Sequence, residues 1–157
     1  MAGKAQKKSF YEELNKKLYS LVSEERDLIA NLANAAALLF NELERINWAG
    51  FYLLKEDELV LGPFQGKPAC VRIPLEKGVC GTAAAKRETI VVEDVHQFPG
   101  HIACDAASNS EIVIPIIVNG VLKGVLDIDS PEYARFDQDD KESLEAFLNV
   151  LKTNCRW

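Results

Sequence analysis

The stretch EIVIPIIVNGVLKGVLDIDS, residues 111–130, decides the fold. Two runs rich in β-branched residues, 112–118 and 121–129, flank Asn119-Gly120. That dipeptide readily supplies the two positive φ angles of a two-residue hairpin turn, so an antiparallel hairpin is expected. In its second strand Asp127 and Asp129 are two apart and share one face, while Leu126 and Ile128 take the other. A carboxylate is costly to place in an apolar strand unless it is partnered or used.

Outward from the hairpin, residues 93–110 are polar and irregular and hold both histidines, His96 and His101, with Cys104. Loops of that length in a compact domain are usually functional. Before it, residues 89–92 and 70–74 read as short strands, and residues 78–86 as a short helix entered through Gly81. Residues 46–54 and 58–64 read as strands joined by a turn at Lys55-Glu56-Asp57. An N-terminal helix over residues 9–21 carries Phe10, Leu14, Leu18 and Leu21 at helical spacing. Ser23 is expected to cap a second helix, with Glu24 and Glu25 at its positive end and a stripe of Leu28, Ile29, Leu32, Ala36, Leu39, Phe40 and Leu43. Asp137 caps a last helix whose core face is Leu144, Phe147, Leu148 and Leu151.

These elements predict an α+β fold: a mainly antiparallel central sheet with flanking N- and C-terminal helices. No linker, repeat or low-complexity stretch divides the chain, so residues 1–157 read as one domain, large enough to bury roughly two-thirds of its unfolded surface. Residues 1–22 form an amphipathic helix ahead of the main body that could serve a homodimer. A net charge of −6 argues against a nucleic-acid partner, and the lysine clusters near the N-terminus read as a solvated tail and helix face. No apolar run has the length of a membrane span. The start is charged with no apolar stretch behind it, which is not the pattern of a signal peptide. A cytoplasmic, reducing compartment is therefore expected, where cysteines are seldom permanent bridges.

Of the four cysteines, Cys70, Cys80 and Cys104 cluster mid-chain ahead of the acids Glu111, Asp127 and Asp129. Thiols beside carboxylates suggest thiol chemistry. Cys104 sits in the irregular loop, Cys70 begins a strand and could simply be core, and Cys80 lies near a helix N-terminus, where a thiol pKa can fall. Cys155, four residues after Leu151, reads as an inert thiol of the last helix. Trp48 and Tyr52 share a strand face, where aromatics are commonly core. His96, His101 and Cys104 could be drawn with Cys70 or Cys80 as a zinc site, but no Cys-x-x-Cys or His-x-x-x-His pair exists and no metal is expected. No nucleophile elbow supports a serine hydrolase.

The segments Gly78-Val79-Cys80-Gly81-Thr82-Ala83-Ala84, Thr89 through Val95, and Gly120 through Ser130 resemble a GAF domain, from the second helix to the C-terminus. Most members of that superfamily are ligand-sensing modules, and the fold alone gives no activity. Cys70, Cys80 and Cys104, with Glu111, Asp127, Asp129 and Trp48, resemble the free methionine-(R)-sulfoxide reductases. The resemblance implies Cys104 as nucleophile, Cys70 as resolving thiol and Cys80 as an auxiliary thiol. It implies no bound cofactor, thioredoxin as external reductant, and free methionine sulfoxide as substrate. The three acids would then receive the α-ammonium, with one kept protonated by its neighbours to protonate the sulfoxide oxygen. Trp48 and Tyr52 could wall a slot for the methylthio end. A small-molecule-sensing module without catalysis is the alternative, disfavoured because a chain of this length leaves no room for an output domain.

One conflict follows. With an ideal two-residue turn, Val118 faces Val121 and Glu111 faces Ile128, so Glu111 would point away from Asp127 and Asp129. A single extra residue flips that parity, and proline and glycine mark such breaks. A bulge near Pro115 or Gly124 is therefore expected, unless Glu111 leaves the strand.

Overall fold

The computed structural model describes residues 3–101 and 106–157. In chain order these form α1 (Lys4–Val22), α2 (Leu28–Glu42), β1 (Trp48–Lys55), β2 (Glu58–Gly66), β3 (Arg72–Pro74), α3 (Gly78–Lys86), β4 (Ile90–Val92), β5 (Ser110–Val118), β6 (Val121–Ser130) and α4 (Gln138–Asn154). The strands make one sheet in the order β3-β2-β1-β6-β5-β4, antiparallel at every pairing. The α+β arrangement expected from the hairpin outward is therefore present.

Both faces of the sheet are covered. Ala49, Phe51, Ile112, Ile114, Ile116, Leu126 and Ile128 pack under α1, α2 and α4. Trp48, Tyr52, Val113 and Val125 face the opposite way, towards Cys80, Ala83 and Ala84 of α3. A strand buried on both sides reads as a continuous apolar run, which is why residues 112–117 lack clean alternation.

The hairpin contains the expected irregularity. Val118 pairs with Val121 and Ile117 with Leu122, but Ile116 pairs with Gly124, leaving Lys123 as the extra residue. From there Glu111 faces Asp129 and Val113 faces Asp127, so all three acids lie on one side of the sheet. Gly124 is required at this break: a Cβ there would lie 2.1 Å from the Tyr52 carbonyl oxygen on β1. A second bulge, at Gly62-Pro63, separates the Gly50–Phe64 pair from the Tyr52–Leu61 pair, which places proline where the ladder is already broken.

Two helical details correct the sequence reading. The buried stripe of α1 is Tyr11, Leu14, Leu18 and Val22, one residue out of step with the expected Phe10 and Leu21, which are exposed. Each fully buried leucine of this stripe is worth about 1.5–3 kcal/mol. The register follows the Tyr11 hydroxyl, which donates to Asp140 Oδ1 at 2.6 Å. The cap of α2 is Asp27, whose side chain accepts from the Ala30 N–H, whereas the Ser23 N–H closes α1 on the Tyr19 carbonyl. Ile29, expected in the α2 stripe, is exposed.

Helices α1 and α4 lie side by side and parallel. At their N-terminal ends Lys7 Nζ reaches Asp140 Oδ2 at 2.7 Å and Asp137 Oδ2 at 3.0 Å. At their C-terminal ends Arg26 donates to the Asn154 carbonyl, and the Arg156 N–H to the Arg26 carbonyl. Asp140 is fully buried and also receives Arg135. Helix α1, expected ahead of the main body, thus shares its core through Tyr11, Leu14, Leu18 and Val22.

Candidate active site

The face of the sheet opposite α1, α2 and α4 carries the acids. Glu111 and Asp127 are 7% and 6% exposed, and Asp129 is partly buried. They are placed by strand register alone: Asp129 stands beside Trp48, and Asp127 beside Gly50, in the β1–β6 ladder. The face is not solvated, because α3 and the segment before β3 close over it.

Burial, followed by the negative charges of Asp127 and Asp129, holds the Glu111 carboxyl well above the usual carboxylate range. Of the three acids it is the one pushed furthest towards the neutral form by its surroundings, since burial and both neighbouring charges act on it in the same direction. Burial also raises Asp127, and its side-chain interactions with Glu111, Asp129 and Cys80 offset part of that rise. The Oδ1 atom of Asp127 is buried with no hydrogen-bond partner, an acceptor aimed at whatever fills the site.

Cys80 lies in the first turn of α3, fully enclosed. Its thiol is pushed well up by burial first, then by the charges of Asp127, Glu111 and Asp129. This corrects the expected lowering at a helix N-terminus: burial, with the three acids added to it, outweighs the half-charge of a helix dipole. One donor atom each from Cys80, Glu111 and Asp127 lie within 4.8 Å of one another, a set able to take a divalent ion and distinct from the histidine–cysteine grouping considered from sequence.

Trp48 and Tyr52 share the site's face as expected, stacked at 6.0 Å and 24°, and Trp48 stacks on Phe64 at 5.2 Å and 15°. The Tyr52 phenol is raised far above its ordinary value, by burial and then by Asp127, Cys80 and the other acids, and stays a donor. Cys70, just before β3, is disulfide-bonded, whereas Cys80 and Cys155 are free thiols. Cys104 lies outside the described residues. His96 is exposed, with its ring against Asn109. His101, weighed from sequence as a zinc ligand, instead lines the pocket. Burial and His96 lower its pKa.

Sequence reasoning missed Lys77 and Ser108, which also line the pocket. Ser108 is buried and accepts from Asn47 Nδ2 at 3.0 Å. Neither had a local signal, since each arrives through loop closure. Together the residues form a concave, partly open site lined by the three acids and by the N-terminus of α3.

Fold and site define a GAF domain, and the GAF domain family model matches residues 24–151. The chain belongs to that family, and within it to the free methionine-R-sulfoxide reductases. It is 55% identical to the protein named free methionine-R-sulfoxide reductase of Escherichia coli, over 93% of this chain and 88% of that one. The substrate complex of the Staphylococcus aureus protein called fRMsr is 56% identical, with a TM-score of 0.89 over 92% of this chain and 94% of that one. The free methionine-R-sulfoxide reductase of Neisseria meningitidis, also solved with its substrate, is 46% identical, with a TM-score of 0.92 over 98% and 92%. Among the described residues no helix is long and apolar enough to cross a membrane.

Proposed function

We propose that this protein reduces free methionine-R-sulfoxide to methionine, with Cys104 as nucleophile, Cys70 as resolving thiol and Cys80 as auxiliary thiol. The thiolate of Cys104 attacks the sulfoxide sulfur while the oxygen is protonated. Methionine leaves, and Cys104 is left as a sulfenic acid. The Cys70 thiol then displaces the hydroxyl as water, forming a Cys70–Cys104 disulfide. Thioredoxin restores both thiols by exchange. Each turnover thus converts one sulfoxide and two thiols into one thioether, one disulfide and one water. No bound cofactor is required, and a cytoplasmic location suits a thioredoxin-coupled cycle.

The observation that carries this reading is the trio of buried Glu111, buried Asp127 and partly buried Asp129 on one sheet face. A free amino acid brings an ammonium, and two carboxylates neutralise it while Glu111 keeps its proton for the sulfoxide oxygen. The α-carboxylate finds unpaired N–H groups at the start of α3, beside Lys77. The indole of Trp48 and the ring of Tyr52 wall the methylthio end. The exposed Phe10, Tyr19 and Leu21 of α1 suit a homodimer contact.

The test is thioredoxin-coupled NADPH consumption on free methionine-R-sulfoxide. Multiple turnover is expected, with N-acetylated or peptide-bound sulfoxide slower by at least about a hundredfold, since the buried acids would lose their charged partner. Binding without consumption would mark a sensing module instead, and equal rates on free and peptide-bound substrate would remove the role given to the acids.

A further inference from the structure

The segment 67–71, between β2 and β3, carries Cys70 and has no regular structure of its own. Two side chains of β1 hold it by its carbonyls. Tyr52 Oη donates to the Cys70 carbonyl oxygen at 2.9 Å, and Trp48 Nε1 donates to the Lys67 carbonyl oxygen at 3.1 Å. Both aromatics are 2% exposed and locked in a stack that continues to Phe64. The chain leaves β2 at Gly66 with φ +134°, pressed so closely on the indole that a Cβ would lie 2.6 Å from Trp48 Cδ1. The held position is one in which Cys70 is disulfide-bonded.

We infer that Tyr52 and Trp48 are positioning residues for the Cys70 thiol, holding its segment where it resolves the oxidised nucleophile. This rests on the thiol cycle proposed above and assigns these aromatics a second role beyond walling the substrate. In the resolving step the Cys70 sulfur bonds to the sulfenic sulfur of Cys104, the S–O bond breaks, and hydroxyl and thiol proton leave as water. Its rate depends on how often two sulfurs on separate segments come within bonding reach. Two hydrogen bonds from a rigid strand raise that frequency by removing the segment's alternatives. The first step, attack on the sulfoxide, needs no contribution from Cys70. The tether therefore acts on the second step more than on the first.

Single-turnover experiments on the full chain, quenched and analysed for free methionine, dimedone-trapped sulfenic acid and disulfide, separate the steps. Tyr52→Phe keeps the ring and removes only the hydroxyl. It is expected to slow disulfide formation at least tenfold relative to methionine release, so that trapped sulfenic acid accumulates. Gly66→Ala keeps both aromatic residues but forces the start of the segment and the indole apart, and should give the same signature. Disulfide formation in Tyr52→Phe that keeps its wild-type pace relative to methionine release overturns the inference, as does equal slowing of both steps. If the wild-type protein releases no methionine, the thiol cycle itself fails, and this inference falls with it.

Discussion

The roles proposed for Cys104 and Cys70 are distinguished by two serine substitutions. Cys104→Ser should abolish methionine formation, whereas Cys70→Ser should release about one methionine per chain and stop at the sulfenic acid. Glu111 makes a different demand, because the burial that keeps it protonated also destabilises the fold. Its raised pKa means the folded state retains a proton that the unfolded chain releases, so stability falls as pH rises from the ordinary carboxylate range through the folded pKa. Glu111→Gln should remove that dependence and leave the protein more stable at neutral pH by denaturant titration. Turnover should nevertheless fall by about a hundredfold or more, as for other lost general acids. At this scale the sequence was half legible. Acid types and their spacing were visible, but the direction of the Cys80 shift was not, because it comes from tertiary burial and then from carboxylates on β5 and β6. His101, Lys77 and Ser108 were likewise invisible as pocket residues, since only tertiary closure brings them in.

At the scale of elements, the β5–β6 hairpin shows how a local rule and a functional requirement can disagree and both be met. Asn119-Gly120 sets an ideal register that would turn Glu111 from the pocket, and the extra residue Lys123 restores it. The break was deducible because parity is strict in a strand, and glycine marked where it could fall. It is the backbone at Lys123 that matters, so Lys123→Ala should change stability by no more than about 0.5 kcal/mol. Gly124→Ala should cost about 1–3 kcal/mol in denaturant unfolding, because the new methyl meets the Tyr52 carbonyl. Helix caps were less legible. The Asp137 cap follows expectation, but α2 is capped by Asp27 and not by the expected Ser23, and nothing local says which of two nearby cap residues the tertiary structure will use. The α1 stripe slipped by one residue for a related reason: Phe10 and Tyr11 compete for the core, and Asp140, distant in sequence, decides it.

At the scale of the whole molecule, α1 is tied to the body by the fully buried Asp140, which receives Tyr11, Lys7 and Arg135. Asp140→Ala would leave two cations and a hydroxyl without their common acceptor, and should cost about 3–5 kcal/mol in denaturant unfolding. Because α1 and α4 run parallel, a handle at Gly3 and one at Trp157 sit at opposite ends of the helix pair, roughly 25 Å apart by helix rise. Tension between them would slide the two helices along their common length, loading the Tyr11–Val22 and Leu144–Leu151 seam all at once. Moving the first handle to the α1–α2 connection places both on the same end, where the seam would peel turn by turn. Drawn from its two termini in an optical trap, this protein should therefore resist more force than when drawn from that connection and its C-terminus.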